Sequence, residues 1–471
     1  MVRKVRQLWG FLDDRLGFTE TFGPMITHAV PRGARWWYVF GSATLFAFII
    51  QVLSGVALAF SYVPSADQAY NSLRFITEHA TLGRFMRALH YYGASAMVLM
   101  VGLHMAQVYL FGAYKYPREM TWVTGVMMLG FTLVMGFTGQ LLRWDQTGVW
   151  SVIVAAEQAG RVPLIGDWLA RLTLGGDMVG GATLGRFFAI HVFVMPALVF
   201  AFLGLHLLGV LRHGISPPPK PGQLTARSTY RQEYAELLRK DGVPFWPYSA
   251  WRDVVFGAAM AAVIVLLAIV FGPPEIGNPP DPSLIDAYPR PDWYLLWYFA
   301  VLALLPKGTE EYFMVFGPIL VGILLIALPF ISRRRESSPW RRPWAVAIVL
   351  MVIVMISTLW VAGARSNWSP NFHIKPLPVK VVGATSGPIQ QGAQLFYSKG
   401  CLNCHLIEGY GGRRGPNLSD AGARLSRDAI ILITLGGRGN MPAYANNLTS
   451  EEMNAILAFL ESRKPNPEGT R

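Results

Sequence analysis

Four histidines fall inside long apolar runs. His90 and His104 are 14 residues apart, and His191 and His206 are 15 apart. At about 100° and 1.5 Å per residue, either interval is close to four helical turns, so each pair projects from roughly one face with its members ~21–22 Å apart along the axis. Ionisable groups are costly in a bilayer and usually functional there. Two imidazoles from neighbouring helices can supply both axial ligands of a haem iron. If the helices that carry them run in the same direction, His90 faces His191 toward the outer side and His104 faces His206 toward the cytoplasm. The geometry then gives two stacked bis-histidine, noncovalent b haems, an electron wire across the bilayer. A hydrogen-bonded core histidine is the alternative for any one of them; four in this register favour haem.

Glycines repeat the interval. Gly41 and Gly55 lie in one flanking apolar run and Gly125 and Gly139 in another, each pair 14 residues apart. A residue without a side chain lets a flat porphyrin approach the helix backbone. Close helix packing also uses glycine, but the matched interval favours haem. Arg87 and Arg186, each a few residues before an outer-layer histidine, are candidates to pair with haem propionates at the membrane edge, or else snorkel there.

A second constellation lies near the C-terminus. Cys401-Leu402-Asn403-Cys404-His405 matches the signature in which two thiols bond the vinyl groups of a c haem and the adjacent histidine ligates iron. These are the chain's two cysteines, and a disulfide between them is the alternative. Gly415-Pro416-Asn417-Leu418 and Gly439-Asn440-Met441-Pro442 resemble the segments that flank the haem in small class I cytochromes c. Met441 is then the sixth ligand, and a Met/His pair raises the reduction potential. Covalent haem attachment in bacteria belongs to the outer side.

The elements that must position these residues are membrane helices. With 52% hydrophobic and 15% charged residues in 471, a membrane class is favoured. Seven apolar runs reach the ~20 residues needed to cross a bilayer, near 36–60, 88–111, 122–142, 187–211, 253–271, 312–331 and 344–363. The expected fold is an all-α membrane protein: a haem-binding four-helix bundle, three further spans and a small α-helical cytochrome c domain. Its expected divisions are a surface segment (1–35), a dihaem domain (36–215), a three-helix domain (216–365), a linker (366–385) and the c domain (386–471).

No secretory signal is visible in the first 35 residues. Residues 3–18 instead suggest a short amphipathic helix on the membrane surface, with Leu8, Phe11 and Leu12 on one side. The loops on the N-terminal side hold 19 Lys and Arg against nine opposite. By the positive-inside rule the N-terminus is cytoplasmic and the c domain lies outside, as in a multi-pass protein of a bacterial cytoplasmic membrane. The net charge of +13 needs no nucleic acid, since most of it sits where anionic lipid headgroups would attract it.

The run Pro117 to Gly125, the segment Trp144-Asp145-Gln146, the two histidine intervals and Arg186-Phe187-Phe188 before His191 resemble cytochrome b6. The later stretch, with Pro291-Asp292-Trp293-Tyr294 before the sixth span, resembles subunit IV of the same complex, and together the resemblance covers about residues 1–365. It implies an outer quinol-oxidation pocket beside the four-residue motif, with Asp292, in place of the family's glutamate, accepting a proton from quinol and Tyr294 beside it. Trp144 to Trp150 and Val162-Pro163-Leu164-Ile165-Gly166 should form the opposite wall. His28, Arg212 and His213 are candidates for an inner quinone-reduction site, where basic groups could relay protons. The resemblance further implies bifurcated oxidation: one electron crosses through the b haems to quinone. The other leaves through a Rieske [2Fe-2S] subunit to the c haem and on to a soluble cytochrome or terminal oxidase, in a dimeric complex fed by the quinone pool. Two readings compete with it, a dihaem conduit without bifurcation and a haem-binding sensor. Three positions depart from the family. Val39 stands where b6 proteins attach an extra haem by cysteine, so no such thioether-linked haem is expected; Arg143 replaces a proline and Gln107 an arginine.

Overall fold

The computed structural model describes residues 2–222, 224, 226–280, 289–306, 308–332, 336–365, 374–412, 415–437, 441, 444, 445 and 447–464. The first part of the proposed linker (366–373), Gly439, Asn440 and Pro442 of the methionine segment, and the chain's last residues lie outside them. Seven helices are long and apolar enough to cross a membrane: Phe40–Ala59, Gly83–Leu110, Glu119–Leu141, Gly181–His213, Phe245–Val270, Glu310–Ile331 and Pro343–Arg365. All seven expected spans are present, most of them longer than their apolar cores, because polar turns continue the hydrogen-bonding pattern beyond the hydrocarbon.

The first span packs on the second and the third on the fourth. Midway between the two histidine layers these helices close on Ala47, Phe48, Met97 and Val199, all buried. The fourth span contains one π-helical turn, Ile190–Val194, which holds His191. A π turn takes in one extra residue without advancing the helix face. It therefore makes the 15-residue interval of His191 and His206 equivalent to the 14-residue interval of the second span.

The fifth span packs on the first two, the sixth on the third and the seventh on the second. Trp122 Nε1 donates to the carbonyl of Leu325 in the sixth span at 2.7 Å. Arg342, fully buried at the start of the seventh span, donates to the Tyr109 carbonyl and the Tyr114 hydroxyl, each at 3.2 Å. These bonds fasten the later helices to the bundle. Elsewhere Ile319, Leu320 and Ile323 of the sixth span and Met351 and Val354 of the seventh are exposed, as lipid-facing positions must be.

At the expected cytoplasmic side, Ala29–Pro31 pairs antiparallel with Gly242–Pro244, Val30 opposite Val243. That pairing puts the N-terminal segment and the loop after the fourth span on one side of the bundle. A helix, Val2–Leu16, precedes it with Leu8 and Phe11 exposed and Leu12 half-buried. The C-terminal segment has its own core around Phe396, Leu402, Ile407, Ile456, Leu457 and Phe459. Helices Gly387–Ser398 and Ser450–Glu461 cross there at Gly392, where a Cβ would stand 2.0 Å from the Ala455 carbonyl oxygen. The second of these helices begins with a capping box formed by Thr449 and Glu452, which satisfies two otherwise unpaired amide donors.

Candidate functional site

Within the bundle the ring of His90 lies 6.2 Å from that of His191, at 72° between planes. His104 and His206 stand 6.4 Å apart at 73°. Metal–imidazole nitrogen bonds of about 2 Å on either side of one ion leave roughly 6 Å between ring centres. Both pairs have that spacing.

Each ring is seated against one of the four glycines. A Cβ on Gly139 would lie 2.7 Å from Cε1 of His191, one on Gly41 3.1 Å from His104, one on Gly55 3.2 Å from His90 and one on Gly125 3.5 Å from His206. The glycines thus make room for the imidazoles of the neighbouring helix, where the sequence suggested room for the porphyrin plate.

Hydroxyls fix the ring chemistry. Ser54 gives its proton to the Ile50 carbonyl at 2.6 Å, Thr124 to Thr121 at 2.9 Å and Thr138 to Val134 at 2.8 Å. Each hydroxyl oxygen also contacts a histidine Nδ1: Ser54 with His90 at 3.0 Å, Thr124 with His206 at 3.1 Å and Thr138 with His191 at 3.2 Å. With the hydroxyl proton directed at a carbonyl, the same oxygen can accept from the imidazole. That arrangement puts the ring proton on Nδ1 and leaves the Nε2 lone pair for iron. Spacing, clearance and tautomer all fit a bis-histidine haem. The three hydroxyls escaped the sequence reading, although each stands directly before a histidine-facing glycine.

The four-residue loop motif lies at the His90/His191 end of the same bundle. Trp293 Nε1 donates to Ser95 Oγ of the second span at 3.0 Å. The Tyr294 ring is buried against Gly136, where a Cβ would come within 2.5 Å of its hydroxyl. Gly136 is one turn from Gly139 on the third span. Gln140 donates to the Arg290 carbonyl at 3.1 Å, and Arg290 to the Ala364 carbonyl in the seventh span at 2.6 Å. So held, Tyr294 donates to Asp292 Oδ2 at 3.2 Å. Burial pushes the Asp292 carboxyl above its ordinary range, while Arg143 and the Tyr294 hydrogen bond oppose the rise. The Tyr294 phenol is raised by burial and by Asp292, so it stays a neutral donor.

Arg143 forms a 3.4 Å ion pair with Asp145. Asp145, 1% exposed, accepts from Gly148 N at 2.8 Å, capping helix Gln146–Gly160, and from Gly277 N at 3.1 Å. Without the proline, the turn at Trp144 is made with a left-handed backbone (φ +47°) and an indole bond to the Ala66 carbonyl at 3.0 Å. Trp144, Val149 and Trp150 lie in a buried core, whereas Leu164 is fully exposed. Arg87 donates to Thr77 Oγ1 and to the Pro274 carbonyl, and Arg186 to the Leu172 carbonyl at 3.4 Å.

At the His104/His206 end an apolar cavity of about 320 Å³ reaches from those histidines to Gln107, Arg35, Ser42, Arg252 and Asp253. Ser42 Oγ and Asp253 Oδ1 are 2.7 Å apart. His28, Arg212 and His213 also come together, around a separate polar cleft with Tyr230, Arg231 and Tyr234 that shares only Gly214 with the cavity. They are set apart because Arg118 bonds the His213 and Gly214 carbonyls and the Tyr230 hydroxyl, turning the end of the fourth span away. In the sequence Asp253 only marks the edge of an apolar run, and nothing there signals its role.

In the C-terminal domain no disulfide joins Cys401 and Cys404. Burial raises the Cys401 thiol to about 12, so it stays protonated. His405 Nδ1 donates to the Pro416 carbonyl at 2.9 Å, again leaving Nε2 for a metal. Gly415 lies so close that a Cβ would meet Cε1 of His405 at 2.7 Å. Met441 is half-buried. These residues fit a c-type haem.

Three family models match successive parts of the chain. Residues 25–214 match the family model described as cytochrome b/b6/petB, 281–377 that of cytochrome b(C-terminal)/b6/petD, and 387–460 that of cytochrome C oxidase, cbb3-type, subunit III. Cytochrome b6 of Synechococcus sp. (strain JA-3-3Ab) is 40% identical over 212 residues, 45% of this chain and 99% of that one. That of Prochlorococcus marinus (strain MIT 9515) is 39% identical over 211 residues, 45% of this chain and 97% of its own. Among solved structures, a chain of a hyperthermophilic respiratory Complex III aligns with TM-score 0.66 and 27% identity over 77% of this chain and 92% of that one. With these family models and relatives matched, the chain belongs to the cytochrome b/b6 family and carries a cytochrome c domain on the same polypeptide.

Proposed function

We propose that this chain is the quinol-oxidising core of a bc/b6f-type complex, that it oxidises quinol by bifurcation at its outer face, and that its own c domain takes the second electron. The observation that carries the reading is the joint placement of two 6 Å histidine pairs and a buried, tyrosine-bonded carboxylate on the same helices. Haems held by His90/His191 and His104/His206, with Arg87 and Arg186 at the outer edge, and a covalent haem on Cys401, Cys404, His405 and Met441 would supply one-electron carriers at two membrane depths and outside the membrane.

The chain's own residues handle the protons. Quinol oxidation releases two, and Asp292 accepts one when ionised. The Tyr294 hydroxyl holds that carboxylate in place. At the inner side the apolar cavity suits a quinone ring, with Ser42 and Asp253 as the polar pair for its oxygen. His28, Arg212 and His213 line the polar cleft beside it and are placed to feed protons from the cytoplasm. Cys401, Cys404, His405 and Met441 would hold the c haem that accepts the second electron from a Rieske [2Fe-2S] subunit, and a soluble cytochrome or terminal oxidase would be its onward acceptor. The complex is a homodimer in a bacterial cytoplasmic membrane, with the c domain outside.

The test is oxidant-induced reduction. With quinol present and the inner site blocked, oxidising the c haem with ferricyanide should reduce the b haems in the purified complex. Reduction of the b haems that ignores the state of the c haem would identify a simple conduit.

A further inference from the structure

Three of the four membrane histidines have an oxygen on Nδ1. For His90, His206 and His191 the partners are Ser54, Thr124 and Thr138, each one residue before the glycine that faces the ring. The fourth position breaks the pattern. The residue before Gly41 is Phe40, the first residue of its helix, whose ring packs edge-on to Phe256 instead. No hydroxyl is available there, and Nδ1 of His104, although buried, has no hydrogen-bond partner among the described residues. The outer pair therefore has two anchored imidazoles and the inner pair one.

A hydrogen bond from Nδ1–H to an oxygen orients the ring, fixes its tautomer and makes Nε2 a stronger donor. A stronger donor favours ferric over ferrous iron and lowers the reduction potential. We propose that Ser54, Thr124 and Thr138 are positioning residues for their histidines, and that Phe40 leaves His104 a weaker donor, so that this one contact raises the inner haem's potential. The inference rests on the reading that both pairs hold haem. It gives the asymmetry a purpose. An electron moving from the outer to the inner pair travels against a membrane field that is negative inside, and a higher inner potential offsets that work.

Redox titration of the purified complex, following the two b-type bands separately, tests it. Phe40→Ser restores a hydroxyl at the odd position and should lower the inner midpoint while the outer stays fixed. Ser54→Ala and Thr138→Ala should raise the outer midpoint, and either one tests the proposal if Phe40→Ser does not assemble. Haems retained at unchanged potentials in these variants would overturn it. Failure of the haem reading itself would look different: the unmodified complex would yield no extractable b haem to titrate.

Discussion

His90 and His191 stand ring to ring across the bundle, 6.2 Å between centres, each backed by a glycine and bonded through Nδ1 to a hydroxyl. The second pair repeats the spacing at 6.4 Å, so the two layers are built alike and differ in fine fit.

That fit is graded and testable. A methyl at Gly139 would overlap His191 at 2.7 Å, whereas one at Gly125 would make ordinary contact with His206 at 3.5 Å. Gly139→Ala should therefore lose much of the outer b haem, and Gly125→Ala should keep the inner one. Dithionite-reduced difference spectra of the two variants measure this, and equal losses would count against the seating described here.

The carboxylate at the outer site should show in the pH profile. Asp292 must be ionised to accept a proton, and burial has already raised its pKa, so quinol oxidation should slow as the pH falls through that raised value. Arg143 and the Tyr294 hydroxyl both favour the ionised form. Tyr294→Phe, or Arg143→Gln, should therefore move the acid limb of the rate to higher pH, by about one unit for a charged hydrogen bond worth ~1.5 kcal/mol. Asp292→Asn should slow oxidation ~10²-fold or more with haem content intact.

Asp253 separates the two quinone sites. Asp253→Asn should slow reoxidation of the inner haem by quinone while the initial quinol-dependent reduction keeps its rate. Stopped-flow traces with and without an outer-site inhibitor distinguish these phases, and unchanged reoxidation would remove Asp253 from the inner site.

Cys401→Ser and Cys404→Ser should abolish haem that survives denaturing electrophoresis yet leave both b-type bands, because the C-terminal domain has a core of its own. Loss of the b bands as well would mean that the two parts depend on each other to fold.

Much of this was legible in the sequence because membrane helices expose their logic in one dimension. Seven apolar runs and two histidine intervals set the bundle and its layers. What the sequence hid has physical causes. The unequal 14 and 15 intervals needed a π turn at Ile190–Val194 to reconcile them, and nothing local in Ile-His-Val-Phe-Val announces one. The glycine interval suggests clearance for a porphyrin, whereas the four glycines face imidazoles, because what they clear is set by helix pairing that spacing alone does not give. His28, Arg212 and His213 do converge, but Arg118 draws them into a cleft beside the cavity. Asp253 was visible as an acid at an apolar run's edge, and its meaning appeared only when Ser42 from the first span met it.

The most direct test of the central claim is a haem count on the purified chain, combining acid-acetone extraction with pyridine haemochrome spectra. Two extractable b haems for each covalently retained c haem are expected, falling to one b haem in His90→Leu. A chain that yields no extractable haem, or keeps both after that substitution, would contradict the account.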